Sequence, residues 1–163
     1  MTNAAYVHVT LRSPRASDAD WIGESLKEKD IAESIPGLGS AGISSANQIL
    51  NHALLLSAEL KEHHFVIEAD GTAVGMCVLY NIYNDGAEIG YWVCSAYRRK
   101  GYATAAIRIL AGKAYLIGVR RIRAIVMRSN SASIALLNLM GFKASGNVGD
   151  QVEYSADTAS IKA

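Results

Sequence analysis

Polar and apolar positions alternate through the middle of the chain and recur at helical spacing on either side of it. Tyr6 to Leu11 (Y-V-H-V-T-L) alternates and is rich in β-branched residues, which predicts a first strand. Ser17 followed by Asp20 has the form of a capping box and opens a helix through "DADWIGESLKEK". After the Gly/Ser/Pro-rich loop "SIPGLGSAGIS", Ser45 and Gln48 repeat the capping pattern. Ile49, Leu50, Ala53, Leu54 and Leu60 then fall on one helical face.

The centre predicts strands only. His64 to Ala69 and Ala73 to Tyr80 flank Asp70-Gly71, a hairpin signal. Asn84-Asp85-Gly86 turns the chain again into "AEIGYWVC", completing an antiparallel meander of three strands. Beyond it the pattern predicts a helix from Gly101 or Tyr102 to about Ile117, and a strand in "RRIRAIVM". A helix from Asn130 or Ser131 follows, stopped by Gly141, then short strands near Phe142–Asn147 and Gln151–Ser155. The order is meander, then strand–helix–strand–helix–strand. It implies an α+β fold: a mixed, mostly antiparallel sheet holding one parallel pair and flanked by helices.

The 163 residues suit a single domain, 1–163, long enough to bury a core without staples. Half of the residues are hydrophobic and 19% are charged, which excludes disorder. A net charge of +1 gives no global attraction to nucleic acid or to an anionic membrane, so any electrostatic function is local. The basic runs at Arg12 and Arg15, and at Arg120, Arg121 and Arg123, lack interleaved aromatic residues, and no nucleic-acid partner is expected. Cys77 and Cys94 form no C-x-x-C pair, so neither a metal site nor a disulfide framework is expected. The opening "MTNAAYVHVTLRSP" lacks the form of a signal peptide, no apolar run suffices to span a bilayer, and the expected location is cytoplasmic.

Against that background "RRKGYATAA" stands out. Three cations and a glycine lie where a strand gives way to a helix. A helix that opens straight after a glycine turn presents free N–H groups at its positive dipole end, an arrangement that suits phosphate oxygens. Arg98 can add a charge-assisted contact. A solvated basic loop is the alternative. The spacing is neither a P-loop nor a dinucleotide fingerprint, since no G-K-[ST] and no three-glycine pattern follows.

"EIGYWVCSAYRRKGYATAAIRIL" with "IRAIVMRSNSASIALLNLMGFK" resembles the GNAT superfamily of N-acetyltransferases. The likeness is greatest to the branch of ribosomal-protein N-terminal alanine acetyltransferases (RimJ/RimL-type). It implies a fold with a splayed parallel strand pair and about four helices. It implies that [Q/R]-x-x-G-x-[G/A], here Arg98, Arg99, Lys100, Gly101, Tyr102 and Ala103 and running into Thr104, holds the pyrophosphate of acetyl-coenzyme A. Tyr91, Trp92 and Val93 would line the pantetheine arm, Asn130 would reach it from the other side, and Ser133 would lie near the sulfur. Glu88 would be the base that frees the attacking amine, unless it is merely solvated or paired with an arginine. The oxyanion would rest on the backbone N–H of Tyr91 or Trp92.

Two positions depart from the commonest family pattern. Leu137 stands where many members carry a tyrosine that protonates the sulfur, and Ile125 where some protein N-terminal acetyltransferases carry a glutamate. Ser133, a water or solvent must then supply that proton; Tyr97 lies in the phosphate loop, where packing is its expected role. His63 and His64 could act as a base or line the acceptor pocket, and Glu24, Glu28, Asp30 and Glu33 could attract a polyamine or lie on a solvated face. The resemblance implies an acetyl-CoA-dependent N-acetyltransferase, with a small-molecule amine or a protein N-terminus as acceptor and direct attack in a ternary complex. A non-catalytic acyl-CoA-binding module on the same fold is the alternative. A homodimer through the sheet is left open.

Overall fold

The computed structural model describes residues 7–34, 45–59 and 61–161. Tyr6, Leu60 and most of the Gly/Ser/Pro-rich loop therefore lie outside the described residues. The central alternation becomes the meander β2 (His63–Ala69), β3 (Thr72–Tyr83) and β4 (Gly86–Val93). Asp70 (φ 48°) and Gly71 (φ 82°) both take the left-handed conformation, whose twist suits a two-residue hairpin. β1 (Val9–Arg12) pairs antiparallel with β2, one side of the meander.

After β4 comes α4 (Tyr102–Leu116), then β5 (Arg121–Met127), α5 (Ser131–Leu139), β6 (Lys143–Val148), β7 (Gln151–Asp157) and α6 (Thr158–Ile161). The seven strands lie in the order β1-β2-β3-β4-β5-β7-β6. Among the described residues only β4 and β5 run parallel, and they share just three pairs: Gly86 with Arg121, Ala87 with Ile122 and Glu88 with Arg123. Beyond Glu88 the two strands part.

Alternation along the strands sorts the core into two layers. Cys77, Leu79, Ile89 and Val93 face one way, towards Ala106, Ile107, Leu110, Ala111 and Ala114 of α4. Met76 and Trp92 face the other, towards α1 (Ala19–Ser25) and α3 (Ala46–Ala58), where Ile22, Ile49 and Leu50 meet them. Ser45 caps α3 as its sequence implies: its Oγ accepts the Gln48 amide at 3.3 Å, and Gln48 returns the contact at 3.1 Å.

The first helical segment differs from its pattern. It is capped earlier, with Asp18 accepting the Arg15 amide at 2.8 Å, and it divides into α1 and α2 (Lys29–Ser34). Six helices therefore flank the sheet among the described residues, where about four were expected. Asp18 is a hub for this corner: it also takes two hydrogen bonds from Arg12 (2.8 and 3.0 Å) and one from Trp21 Nε1 (2.8 Å). Burial pushes its carboxyl up, but those donors outweigh burial and hold it at about 2.

Asp18→Ala leaves Arg12 and Trp21 without this acceptor, and is expected to cost about 3 kcal/mol in chemical denaturation at neutral pH. The sign of the pH dependence follows from the lowered value. The wild-type contribution is complete above pH of about 4 and is lost as pH falls towards 2. The variant should lack that acid step.

Candidate active site

The site begins where β4 loses its second neighbour. From Ile89 to Val93 the strand pairs with β3 alone, so one row of its backbone groups faces the gap towards β5. An unpaired strand edge inside a domain needs a partner. Gly75 on β3 lets the two backbones close tightly here: a Cβ on it would stand 2.0 Å from the Trp92 carbonyl oxygen. The gap is bridged at one point, where the Tyr91 hydroxyl lies 2.5 Å from Ser133 Oγ in the first turn of α5. Asn130 caps α5, its Oδ1 accepting the Ser133 amide at 3.1 Å. Thus Tyr91, Asn130 and Ser133, separated in sequence, border the same gap.

At the open end the chain makes a 3-10 turn (Ser95–Tyr97) and enters α4 through Arg99 (φ 62°) and Gly101 (φ 80°), both left-handed. The first intrahelical bond of α4 is Ala105 N–H to the Gly101 carbonyl, at 3.1 Å. The amides of Tyr102, Ala103 and Thr104 therefore precede the ladder at the positive end of a 15-residue helix. Arg99 and Lys100 are exposed beside them.

Arg98 departs from the expectation. Its guanidinium is turned to Asp30 (2.6 Å), Glu28 (3.6 Å) and the Val93 carbonyl (2.9 Å) rather than left for a phosphate. Glu28 also accepts the Ser95 amide. Glu28 lies in the break between α1 and α2 and Asp30 in the first turn of α2, and the two tie that segment to the turn. Glu24 and Glu33 pair with Lys27 and Lys29. All four acids are thus engaged, and they form no cluster for a polycation.

Glu88 sits at the apex, in the last β4–β5 pair, 5% exposed. Its Oε2 accepts a hydrogen bond from Asn81 and lies 3.6 Å from Arg123 Nη2, while no contact among the described residues uses Oε1. The irregularity in β3 between Tyr80 and Tyr83, with Asn81 left-handed, brings Asn81 to it. Tyr80 is the cross-strand partner of Glu88. Burial first, then the Glu88 and Glu62 charges, push the Tyr80 hydroxyl up to about 12, so it stays protonated.

On the α1/α3 side of the sheet a cavity of about 100 Å³ lies over Val78 and Gly90, with His64, Tyr80, Tyr91 and Trp92 around it. Gly90 keeps its floor low; a Cβ there would stand 3.2 Å from Val78 Cγ1. His64 and His52 also line it, both near the Glu62 carboxylate at 2.5 and 3.8 Å. Burial lowers the His64 pKa despite Glu62, favouring the neutral ring. Sequence reading named His64 as a residue that could line the acceptor pocket, but missed Tyr80, Asn81, Arg123 and the Glu62 and His52 that surround His64. The alternation that pairs Tyr80 with Glu88 was the available signal for the first; the others depend on tertiary contacts.

The described residues contain no helix long and apolar enough to cross a membrane. A family model described as acetyltransferase (GNAT) domain matches residues 8–143. The chain is 26% identical over 147 residues to a Bacillus licheniformis protein named uncharacterized N-acetyltransferase p20, covering 87% of this chain and 83% of that one. The structure of Mycobacterium smegmatis RimJ in complex with CoA-disulfide superposes with a TM-score of 0.79 at 26% identity, over 91% of this chain and 81% of that one. Spermidine N-acetyltransferase from Vibrio cholerae, in complex with CoA and spermine, shares the fold: TM-score 0.77, 18% identity, 94% and 97% covered. A family match across most of the chain, on a sheet whose one parallel pair splays open, places this protein in the GNAT acetyltransferase family, in its RimJ/RimL-like branch, as an acetyltransferase.

Proposed function

We propose that the protein transfers acetyl from acetyl-CoA to a primary amine by direct attack in a ternary complex. The observation that carries this is the gap between β4 and β5, with an unpaired strand edge along one wall and a turn of free amides at its open end. The pantetheine arm pairs with β4 from Tyr91 to Val93, and the α4 amides of Tyr102, Ala103 and Thr104 hold the pyrophosphate with Arg99, Lys100 and Gly101. Arg98 fixes the turn through Asp30 and Glu28. The Asn130 amide nitrogen, which the cap of α5 does not use, reaches the arm from the far wall. The relative RimJ, whose structure holds CoA-disulfide, supports a CoA donor.

The acceptor, a small-molecule amine or a protein N-terminus, enters over Val78 and Gly90. An alkylamine with a pKa of about 10.4 arrives protonated. Glu88 Oε1 takes that proton, directly or through a water. Backbone N–H of Tyr91 or Trp92 holds the oxyanion. Ser133 stands beside the sulfur. The chemistry invokes no metal, nucleic acid or membrane.

The test is isothermal titration of the purified protein with acetyl-CoA, followed by thiol release with a panel of primary amines. Saturable one-to-one binding and amine-dependent release are expected. Absence of binding would overturn the reading.

A further inference from the structure

Resting on that reading, we infer that Tyr91 is the proton donor to the departing thiolate, and that Ser133 is the hydroxyl that positions it. When the amine nitrogen bonds to the carbonyl carbon and the C–S bond breaks, the sulfur leaves with the electron pair and needs a proton. A serine hydroxyl is too weak an acid to deliver one by itself. Leu137, fully buried, has none to give.

Among the described residues two tyrosines line the cavity near the gap, and the sheet sends their side chains to opposite faces and separates their tasks. Tyr80 lies in the Glu88 row, flanked by the Glu88 and Glu62 charges, on the side where the amine enters. Tyr91 lies on β4, beyond the last β4–β5 pair, along the wall that the arm follows. Its ring packs against the α4/α5 layer and its hydroxyl crosses to α5.

The pair is held from both ends. Ser133 is fixed through its amide to Asn130 Oδ1, and Tyr91 by its strand and its packing. Burial raises the Tyr91 pKa and the Ser133 hydrogen bond opposes that rise, so the proton stays on oxygen until the C–S bond breaks beside it. The thiolate then takes it because the Ser133 hydroxyl stabilises the phenolate left behind. Tyr91 Oη–H protonates the sulfur, and the resulting phenolate accepts a hydrogen bond from Ser133 Oγ–H beside the positive end of α5. Water returns a proton to the phenolate, and the proton lost by the amine reaches solvent through Glu88.

Hydroxylamine isolates this step, because it is already neutral at neutral pH and is too small to need an acceptor pocket. Thiol release from acetyl-CoA with hydroxylamine would be compared in wild type, Tyr91→Phe, Ser133→Ala and the double variant. Acetyl-CoA affinity would be titrated in each. Tyr91→Phe is expected to lower kcat about 100-fold with affinity unchanged. Ser133→Ala should lower it about tenfold, and the double variant should be no slower than Tyr91→Phe, since the two hydroxyls act as a unit. Tyr91→Phe within twofold of wild type would overturn the inference while leaving the acetyltransferase reading standing. A Ser133→Ala loss larger than that of Tyr91→Phe would hand the proton to Ser133. If Tyr91→Phe does not fold, Ser133→Ala decides alone, and wild-type kcat in that variant overturns the pair. A wild type that does not bind acetyl-CoA fails the functional reading instead.

Discussion

Gly101→Glu is expected to weaken acetyl-CoA binding at least about 100-fold, equivalent to about 2.7 kcal/mol. Two effects add. Gly101 has φ 80°, where a residue with a Cβ costs about 1–2 kcal/mol, so the turn itself is pushed from its shape. The new carboxylate also stands beside the amides of Tyr102, Ala103 and Thr104 and competes for the charge they would offer a pyrophosphate. Gly101→Ala separates the effects. It carries the backbone cost without the charge, and a Cβ there has space, the nearest atom being Val7 Cγ2 at 3.8 Å. Titration calorimetry with thermal unfolding should therefore show similar stability losses for the two variants, but a much larger loss of affinity for the glutamate. Equal affinities in Gly101→Glu and wild type would remove the pyrophosphate from this turn.

Glu88→Gln should leave acetyl-CoA affinity unchanged and lower kcat about 10²–10³-fold with any alkylamine that supports wild-type turnover. Glutamine keeps the shape and can still meet Asn81, while Arg123 retains Glu153 at 3.8 Å. The loss is thus assigned to proton removal rather than to collapse of the apex. Two further readouts sharpen this. The variant's rate should climb as pH rises towards the pKa of the amine, because more of the acceptor arrives neutral. Turnover with hydroxylamine should be nearly unaffected, since that nucleophile needs no base. A rate with hydroxylamine that falls as far as the rate with an alkylamine would make Glu88 structural.

The meander, the α4 start and the Ser45 cap were legible because each depends on neighbours in sequence. Asp70-Gly71 dictates its own turn, and Ser45 finds Gln48 three residues on. Much of the candidate site was legible in the same way, through Glu88, Gly101 and Asn130 at positions the family motifs mark. What escaped is tertiary. Arg98 reads as a free cation in "YRRKG", yet its partners Asp30 and Glu28 come from α2 and the break before it; Glu28 also binds Ser95, 67 residues away. The helix that local pattern made continuous also divides beside Glu28, between α1 and α2. Tyr91 and Ser133 meet across 42 residues, so neither motif alone discloses the bond between them. α6 is four residues long, too short to leave a period, and is held by buried Thr158 donating to the Val119 carbonyl at 2.8 Å.

The three β4–β5 pairs have a consequence for how the molecule assembles. Apart from these three pairs, the strands before α4 pair among themselves, as do those after it, so the sheet consists of two leaves joined along a short seam. The hairpins of the meander close small loops, whereas the seam waits for α4 to bridge it and β1 waits for the long segment before β2, which makes both of these late steps of folding. A pantetheine arm lying against β4 would lengthen that seam by occupying the strand edge that the protein leaves open. The donor would then be a clasp as well as a reagent: each turnover would bind the leaves more firmly, and each release of product would return the fold to its own three pairs.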